Sequence, residues 1–328
     1  MIRFGILGAA KIAPQAIIKP VQDNAQAEVH CIAARDVSRA KAFADAHDIS
    51  TVHEHYGDVL ADPAVTAVYI PLPISAHHEW TIKALEAGKH VLCEKSLALN
   101  AAEALEMQEV AARTGLVLMD AFHYRYHPLF SRAVEVVHSG VLGKLASIEA
   151  DFHVKGPVPE NDIRMMYATG GGVTMDIGCY PLSWVRHLLG AVPLEVTAAA
   201  VTGPEQVDLY LETNLIFPGG ICARTSGDMR AGGQFKAELL VIGENGSMRV
   251  SNPLVPQFGH SLDLQLGGKK TSETFTRRGS YDYQLDAFTA AVISGEPVLT
   301  DGRDAVLQMT LIDQVYQAAG LSLRGVRD

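Results

Sequence analysis

Short apolar runs at Arg3–Leu7, Glu28–Ala34, Ala67–Ile70, His90–Cys93 and Leu116–Met119 alternate with stretches of helical period at Ser38–His47, Ala76–Ala87 and Ala101–Arg113. Continuous apolar runs of this length, separated by helices, predict strands covered on both faces: a doubly wound parallel sheet. Beyond residue 123 the period changes. After a helix at Leu129–His138, alternating segments follow at Ala146–Val154, Leu194–Val201, Asp208–Phe217, Ile221–Ser226 and Ala237–Ile242. Gly-rich turns at residues 218–220 and 244–246 separate the later ones, which predicts a largely antiparallel sheet. A helix over Val173–Leu189 precedes most of it, and two more, Tyr283–Ile293 and Asp304–Ala319, close the chain. The fold class is α/β, with a boundary near Phe122 dividing residues 1–122 from 123–328.

At 328 residues the chain is long enough for two cores. No apolar run reaches the roughly 18 residues that span a bilayer. The first apolar run is broken at once by Gly5, Gly8 and Pro14, so it reads as a strand and turn, not a signal peptide, and a cytoplasmic location is expected. Cys31, Cys93, Cys179 and Cys222 form no CxxC and are expected as free thiols. Net charge is −10 with no basic stripe, which argues against nucleic acid and for a small-molecule partner.

The first strand runs straight into Gly5-Ile6-Leu7-Gly8-Ala9-Ala10-Lys11-Ile12-Ala13. Dinucleotide-binding turns carry G-x-G-x-x-G, and here Gly8, Ala10 and Ala13 hold its three places. Gly8 can make the tight turn, Ala10 still admits a pyrophosphate, and Ala13 lets the helix pack on the strand. The helix start then offers amides and a positive dipole end. Gly8, Ala9, Ala10, Lys11 and Ile12 are therefore candidate cofactor contacts. One glycine of three is a weak signal alone; its place at the head of a strand–helix series gives it weight. The second strand ends Ala33-Ala34-Arg35-Asp36, followed by Arg39. NAD enzymes place an acid here for the ribose 2′-OH. Ala34 holds that place, while Arg35 and Arg39 suit a 2′-phosphate, so NADP is favoured over NAD. Asp36 keeps NAD open, because a one-residue shift would make it the ribose ligand.

Four segments together resemble the Gfo/Idh/MocA (glucose–fructose oxidoreductase / inositol dehydrogenase) family: residues 5–13, ALEAGKHVLCEKS (Ala84–Ser96), AFHYRYHP (Ala121–Pro128) and GGGVTMDIGCY (Gly170–Tyr180). The resemblance covers nearly the whole chain and is nearest the dihydrodiol dehydrogenase and D-xylose dehydrogenase branch. It implies a Rossmann domain (1–122) and a substrate-binding and oligomerisation domain (123–328) with an open-faced sheet, forming homodimers or homotetramers through that sheet. It also implies hydride transfer between a nicotinamide and a sugar or polyol carbon, first of the aldose 1-dehydrogenase type. A trans-dihydrodiol or keto-sugar enzyme, a glycoside-processing enzyme with tightly held NAD(H), and a non-catalytic NADP-binding regulator are the alternatives.

Glu94-Lys95 follows the strand ending at Cys93, at a carboxyl edge of the parallel sheet where doubly wound folds hold ligands. A lysine there can donate to a substrate oxygen. The resemblance implies that Lys95 is the catalytic lysine of a Glu-Lys-Pro motif, with Ser96 in place of proline. Asp176 and Tyr180 lie four apart in the expected helix, sharing a face, after glycines 170–172 that suit close approach of backbone to ligand. The resemblance implies that Tyr180 exchanges the substrate proton and that Asp176 orients substrate and lysine. Pro71, Leu72, Pro73 and His77 resemble a T-P-N-x-x-H cofactor loop, with Ile74 in place of Asn. Arg125, His127 and Arg164 resemble substrate-site positions. His123 and His127 have the i, i+4 spacing of metal ligands, but no H-E-x-x-H surrounds them and no metal is expected. Residues 267–271 resemble the tail of a phosphate loop without its strand–helix context, so a hairpin turn is expected there.

Overall fold

The computed structural model describes residues 1–326. They fall into two compact units: Met1–His123 with Tyr281–Val306, and Tyr124–Ser280 with the chain from Leu307 onward. The first holds a six-stranded parallel sheet of β1 (Ile2–Leu7), β2 (Ala27–Ala33), β3 (Thr51–His53), β4 (Ala67–Ile70), β5 (His90–Cys93) and β6 (Leu118–Asp120). Its order is β3-β2-β1-β4-β5-β6, the doubly wound arrangement whose ligands sit beyond the carboxyl ends of the central strands. The expected strands are present within two residues of their predicted ends, and every residue of β4 is buried. β3 was not foreseen: Thr51-Val52-His53 is three residues long and only half-buried, so no apolar run announces it.

A cut at residues 122/123 also misses the chain's return. Phe288 packs on Phe4 with ring centroids 5.4 Å apart. Asp120 N donates to Thr300 O at 2.9 Å, and Thr300 Oγ1 donates to Asp120 O at 2.6 Å. The returning segment thus occupies backbone groups on the outer edge of β6, which would otherwise be open to pairing.

The second unit holds an eight-stranded sheet of β7 (Leu145–His153), β8 (Glu195–Thr202), β9 (Asp208–Phe217), β10 (Ile221–Asp228), β11 (Lys236–Gly243), β12 (Gly246–Ser251), β13 (Ser261–Leu266) and β14 (Lys269–Glu273). The order is β14-β13-β12-β11-β7-β10-β9-β8, antiparallel throughout except for β7–β10. One face is apolar and buried, carrying Ile148, Ala150 and Phe152 of β7, Leu239 and Val241 of β11, and Met248 and Val250 of β12. The Cys179–Leu189 helix packs on it, with Trp184 and Leu188 wholly buried. The other face is polar: in one cross-strand row Arg224, Glu149, Leu240 and Arg249 stand side by side. β12 and β13 are interior strands of six residues with only two or three apolar positions each, and β14, Lys-Lys-Thr-Ser-Glu, is a polar edge strand, so none of them makes an apolar run. Gly267 and Gly268, at φ +53° and +81°, form the β13–β14 hairpin turn expected there.

Candidate active site

The turn after β1 is built for backbone approach. Gly8 sits at φ +114°, a conformation that favours glycine, and an added Cβ would press on Leu72 Cδ2 at 3.0 Å. Ala13 is wholly buried, and the Pro14–Ile18 turn that opens the helix has no side-chain cap. An uncapped helix start with small residues before it fits a pyrophosphate. Ala34 is buried at the end of the β2 segment; Arg35 is exposed, its N–H donating to Tyr56 Oη at 3.2 Å. The Arg39 guanidinium donates to Ala9 O at 3.2 Å, tying the second βα segment to the first turn. Asp36 caps the Val37–Ala46 helix, its Oδ1 accepting from Ser38 N (2.8 Å) and Arg39 N (3.4 Å). The carboxylate that kept NAD open is thereby engaged as a helix cap.

Lys95 is the second residue past the end of β5, after Glu94, and is half-buried. Its carboxyl-side peptide, Lys95–Ser96, is cis. Glu94 beside it accepts from the buried Tyr69 hydroxyl at 2.7 Å, and Glu94 N donates to Ile70 O. His77, expected against the cofactor, is buried and bridges two loops instead: Nδ1 lies 3.0 Å from Ser96 O and Nε2 2.8 Å from Leu72 O. Burial pushes its pKa down, against the pull of those carbonyls. His77 therefore holds the Pro71-Leu72-Pro73 loop to the peptide that follows Lys95. Spacing alone could not show this, since the two ends are 19 residues apart.

In the second unit, Asp176 does not lie in a regular helix. Thr174–Gly178 is a π turn, followed by the α-helix Cys179–Leu189, so the i, i+4 helical geometry expected for Asp176 and Tyr180 is altered by the wider turn. The glycines before it also serve a different end from the expected ligand contact. A Cβ at Gly171 would lie 2.6 Å from Met166 O, and one at Gly172 (φ +129°) 2.1 Å from Asp208 Oδ1. They admit protein, not ligand. Asp208 is wholly buried with Arg324 at 2.8 Å, and it also accepts from Thr174 N at 2.8 Å. Arg324 donates to Gly171 O and lies over the rings of Tyr167 and Tyr316. This buried pair fixes the loop leading to Asp176.

Arg164 reaches Asp176: its Nε donates to Asp176 Oδ2 at 2.6 Å, and its Nη1 donates to both carboxylate oxygens of Asp162 at 3.2 Å. The Asp176 charge beside it raises the arginine pKa further. Tyr180 is 5% exposed and packs edge-on to Tyr124, whose hydroxyl contacts Ser183 Oγ (2.6 Å) and His187 Nδ1 (2.8 Å). Arg186 completes this buried network at His187 Nε2. Sequence reasoning missed it, although Ser183 and His187 follow Tyr180 at helical spacing. Arg125 lies over the Phe130 ring at 5.7 Å.

His127, expected near substrate, is wholly buried and caps the Pro128–His138 helix, its Nδ1 accepting from Leu129 N at 3.1 Å. Burial, with His260 second, lowers its pKa from 6.5 to about 4. The sign follows: the unfolded chain takes up this proton near pH 6.5 and the folded chain does not, so stability falls as pH drops from about 6.5 to 4. The loss is worth roughly 3 kcal/mol in full. Urea unfolding at pH 7 and pH 4.5 should show a smaller difference for His127→Asn, which keeps a capping oxygen, than for the parent.

Residues 2–122 match the family described as oxidoreductase, NAD-binding Rossmann fold, and residues 130–249 match the GFO/IDH/MocA C-terminal domain. The chain is 34% identical over 319 residues to D-xylose 1-dehydrogenase (NADP(+)) 2 of Haloferax volcanii, covering 96% of this chain and 97% of the relative. It is 32% identical over 260 residues to trans-1,2-dihydrobenzene-1,2-diol dehydrogenase of Sus scrofa (77% and 75%). Among solved structures, a 3-ketoreductase from Actinomadura kijaniata in complex with NADP and TDP-benzene superposes with a TM-score of 0.88 at 29% identity, over 97% of each chain. With both of its domains matched in order and relatives aligned along nearly its whole length, the chain belongs to the Gfo/Idh/MocA family of oxidoreductases.

Proposed function

We propose that this enzyme is an NADP-preferring dehydrogenase or reductase of polyhydroxylated substrates, with aldose oxidation at the anomeric carbon as its first activity. The observation that carries the reading is the placement of Lys95 at the carboxyl end of β5, in the same sheet whose β1 ends in the Gly8 turn. The full-length relative from Haloferax volcanii, named for NADP(+) and D-xylose, supports both cofactor and substrate class. The 3-ketoreductase and the diol dehydrogenase support keto-sugars and cyclic trans-diols as second substrates.

A bound nicotinamide supplies the hydride acceptor or donor. The chain's own residues bind, orient and move the proton. Lys95 donates to the substrate oxygen, and Tyr180 exchanges the hydroxyl proton. Asp176, held by Arg164, orients substrate hydroxyls. Gly8 to Ile12 receive the pyrophosphate, and Arg35 and Arg39 the 2′-phosphate. We read the enzyme as cytoplasmic and as a homodimer or homotetramer joined through the polar face of the eight-stranded sheet; among the described residues no helix is long and apolar enough to cross a membrane.

The test is turnover of NADP and NAD by the purified protein over a panel of aldoses, keto-sugars and trans-diols. Reduction of NADP by at least one aldose is expected. Cofactor binding without turnover on any substrate would make the protein a regulator, and co-purifying NAD(H) would make it a glycoside-processing enzyme. Arg39→Ala should raise KM for NADP about tenfold or more, as expected for a charge-assisted phosphate contact of roughly 1.5–3 kcal/mol, and leave KM for NAD nearly unchanged.

A further inference from the structure

Four metal-ligating side chains, none of which the proposed function uses, come together in the first unit. In the pairing of β1 with β2, Phe4 faces Val29 and Gly5 faces Cys31, so His30 is an extra, unmatched residue: a β-bulge. Neighbours on a regular strand point to opposite faces, and a bulge re-aims one of them. Here His30 Nε2 comes to 3.3 Å from Asp62 Oδ2, and His53 Nε2, from β3, comes to 3.1 Å from the same oxygen. The Cys31 thiol lies with them: one ligand atom each of Cys31, His53 and Asp62 falls within 4.8 Å of the others. We propose that Cys31, His53 and Asp62, with His30 beside them, form a binding site for one divalent transition cation of the zinc type.

Thiolate, imidazole and carboxylate together are a zinc ligand set, and bonds of about 2.0–2.3 Å to a tetrahedral ion set its ligand atoms roughly 3.5 Å apart. The two His–Asp62 distances, 3.3 and 3.1 Å, are close to this, and the thiol lies within 4.8 Å of the His53 and Asp62 ligand atoms, so side-chain shifts of about an ångström complete the site. Asp62 is already oriented. Its Oδ1 accepts from Ala64 N at 2.8 Å, which leaves Oδ2 to the cluster, the kind of support that ligating carboxylates have. Cys31 is wholly buried while His30, His53 and Asp62 are partly exposed, so an ion enters from the solvent side with the thiol as its floor. Burial, with the Asp62 charge second, pushes the Cys31 thiol up to about 12, so the ion itself must displace the proton; Lys89, held by the carbonyls of Asp62 and Val65, pulls weakly the other way. On binding, the Cys31 S–H bond breaks, the sulfur–metal bond forms and the proton leaves to solvent. The imidazoles bind through Nε2 with their proton on Nδ1. The site shows no sequence motif because its ligands come from a bulge, a three-residue strand and a helix end.

The test uses reduced, untagged, metal-free full-length protein titrated with Co²⁺. The expected result is one equivalent bound, with strong tetrahedral visible bands and a thiolate-to-cobalt band in the near ultraviolet, all displaced by Zn²⁺. Cys31→Ser should abolish the near-ultraviolet band. His53→Gln, at a partly exposed position that tolerates change, should weaken binding at least about 100-fold, the upper end of the cost of losing even a supporting partner. His78→Gln, a surface control, should alter neither. No saturable binding, a spectrum without the thiolate band, or binding indifferent to His53→Gln would overturn the site and leave a hydrogen-bonded His–Asp–His cluster. None of these readouts depends on enzyme turnover.

Discussion

Lys95→Met is expected to lower kcat by about 100- to 10,000-fold, the usual contribution of a positioned proton-transfer group, while NADP still binds. Methionine keeps the unbranched stem and removes only the ammonium, so packing changes little. The backbone at this position is held from both sides: Glu94 N bonds Ile70 O, and His77 reaches Ser96 O at 3.0 Å. These ties do not involve the lysine side chain and survive the substitution. The cofactor turn depends on Gly8 and the uncapped helix start after it, which also remain. Steady-state kinetics beside a fluorescence titration with NADPH separates the two effects. A loss of less than about tenfold would remove Lys95 from the proton-transfer machinery.

Arg324→Met is expected to destabilise the protein by about 3–5 kcal/mol, because it leaves the buried Asp208 carboxylate without its charge partner. Both side chains are wholly buried, and the arginine also donates to Gly171 O. The same carboxylate accepts from Thr174 N and from the Tyr316 hydroxyl, so the loss spreads to the loop that leads into Asp176. The double variant Arg324→Met/Asp208→Leu removes both charges, and replacement of a buried pair by apolar groups is often close to neutral. It should recover much of the stability lost in the single variant, a coupling that urea unfolding of the four proteins measures directly. Equal destabilisation in single and double variants would show that shape, not charge, holds this loop.

The parallel sheet was legible because strands buried on both faces must be continuous apolar runs, as in Ala67–Ile70, and the helices between them carry plain period and caps. β3 and β14 were not, because they are short or polar edge strands, and β12 and β13 were not, because their few buried positions, such as Met248 and Val250, alternate with polar ones over only six residues. The site was legible where its chemistry lies in local motifs, such as the glycine turn, the lysine after β5 and the DIGCY segment. It was illegible where tertiary packing assigns the work. Asp36 looks like a ribose ligand and is a helix cap. Gly172 looks like room for a ligand and is room for Asp208. His77 and His127 look like site residues, yet one ties two loops and the other caps a helix in the core. In each case tertiary packing gives the residue a backbone bond or a close approach that the linear pattern does not display.

The central claim is that a hydride passes from a substrate carbinol carbon to NADP on this protein. An aldose deuterated at the anomeric carbon, incubated with enzyme and NADP, tests it most directly by mass spectrometry of the reduced cofactor. NADPH carrying one deuterium is the expected product. Reduced cofactor without deuterium, or none formed while NADP remains bound, would contradict the account.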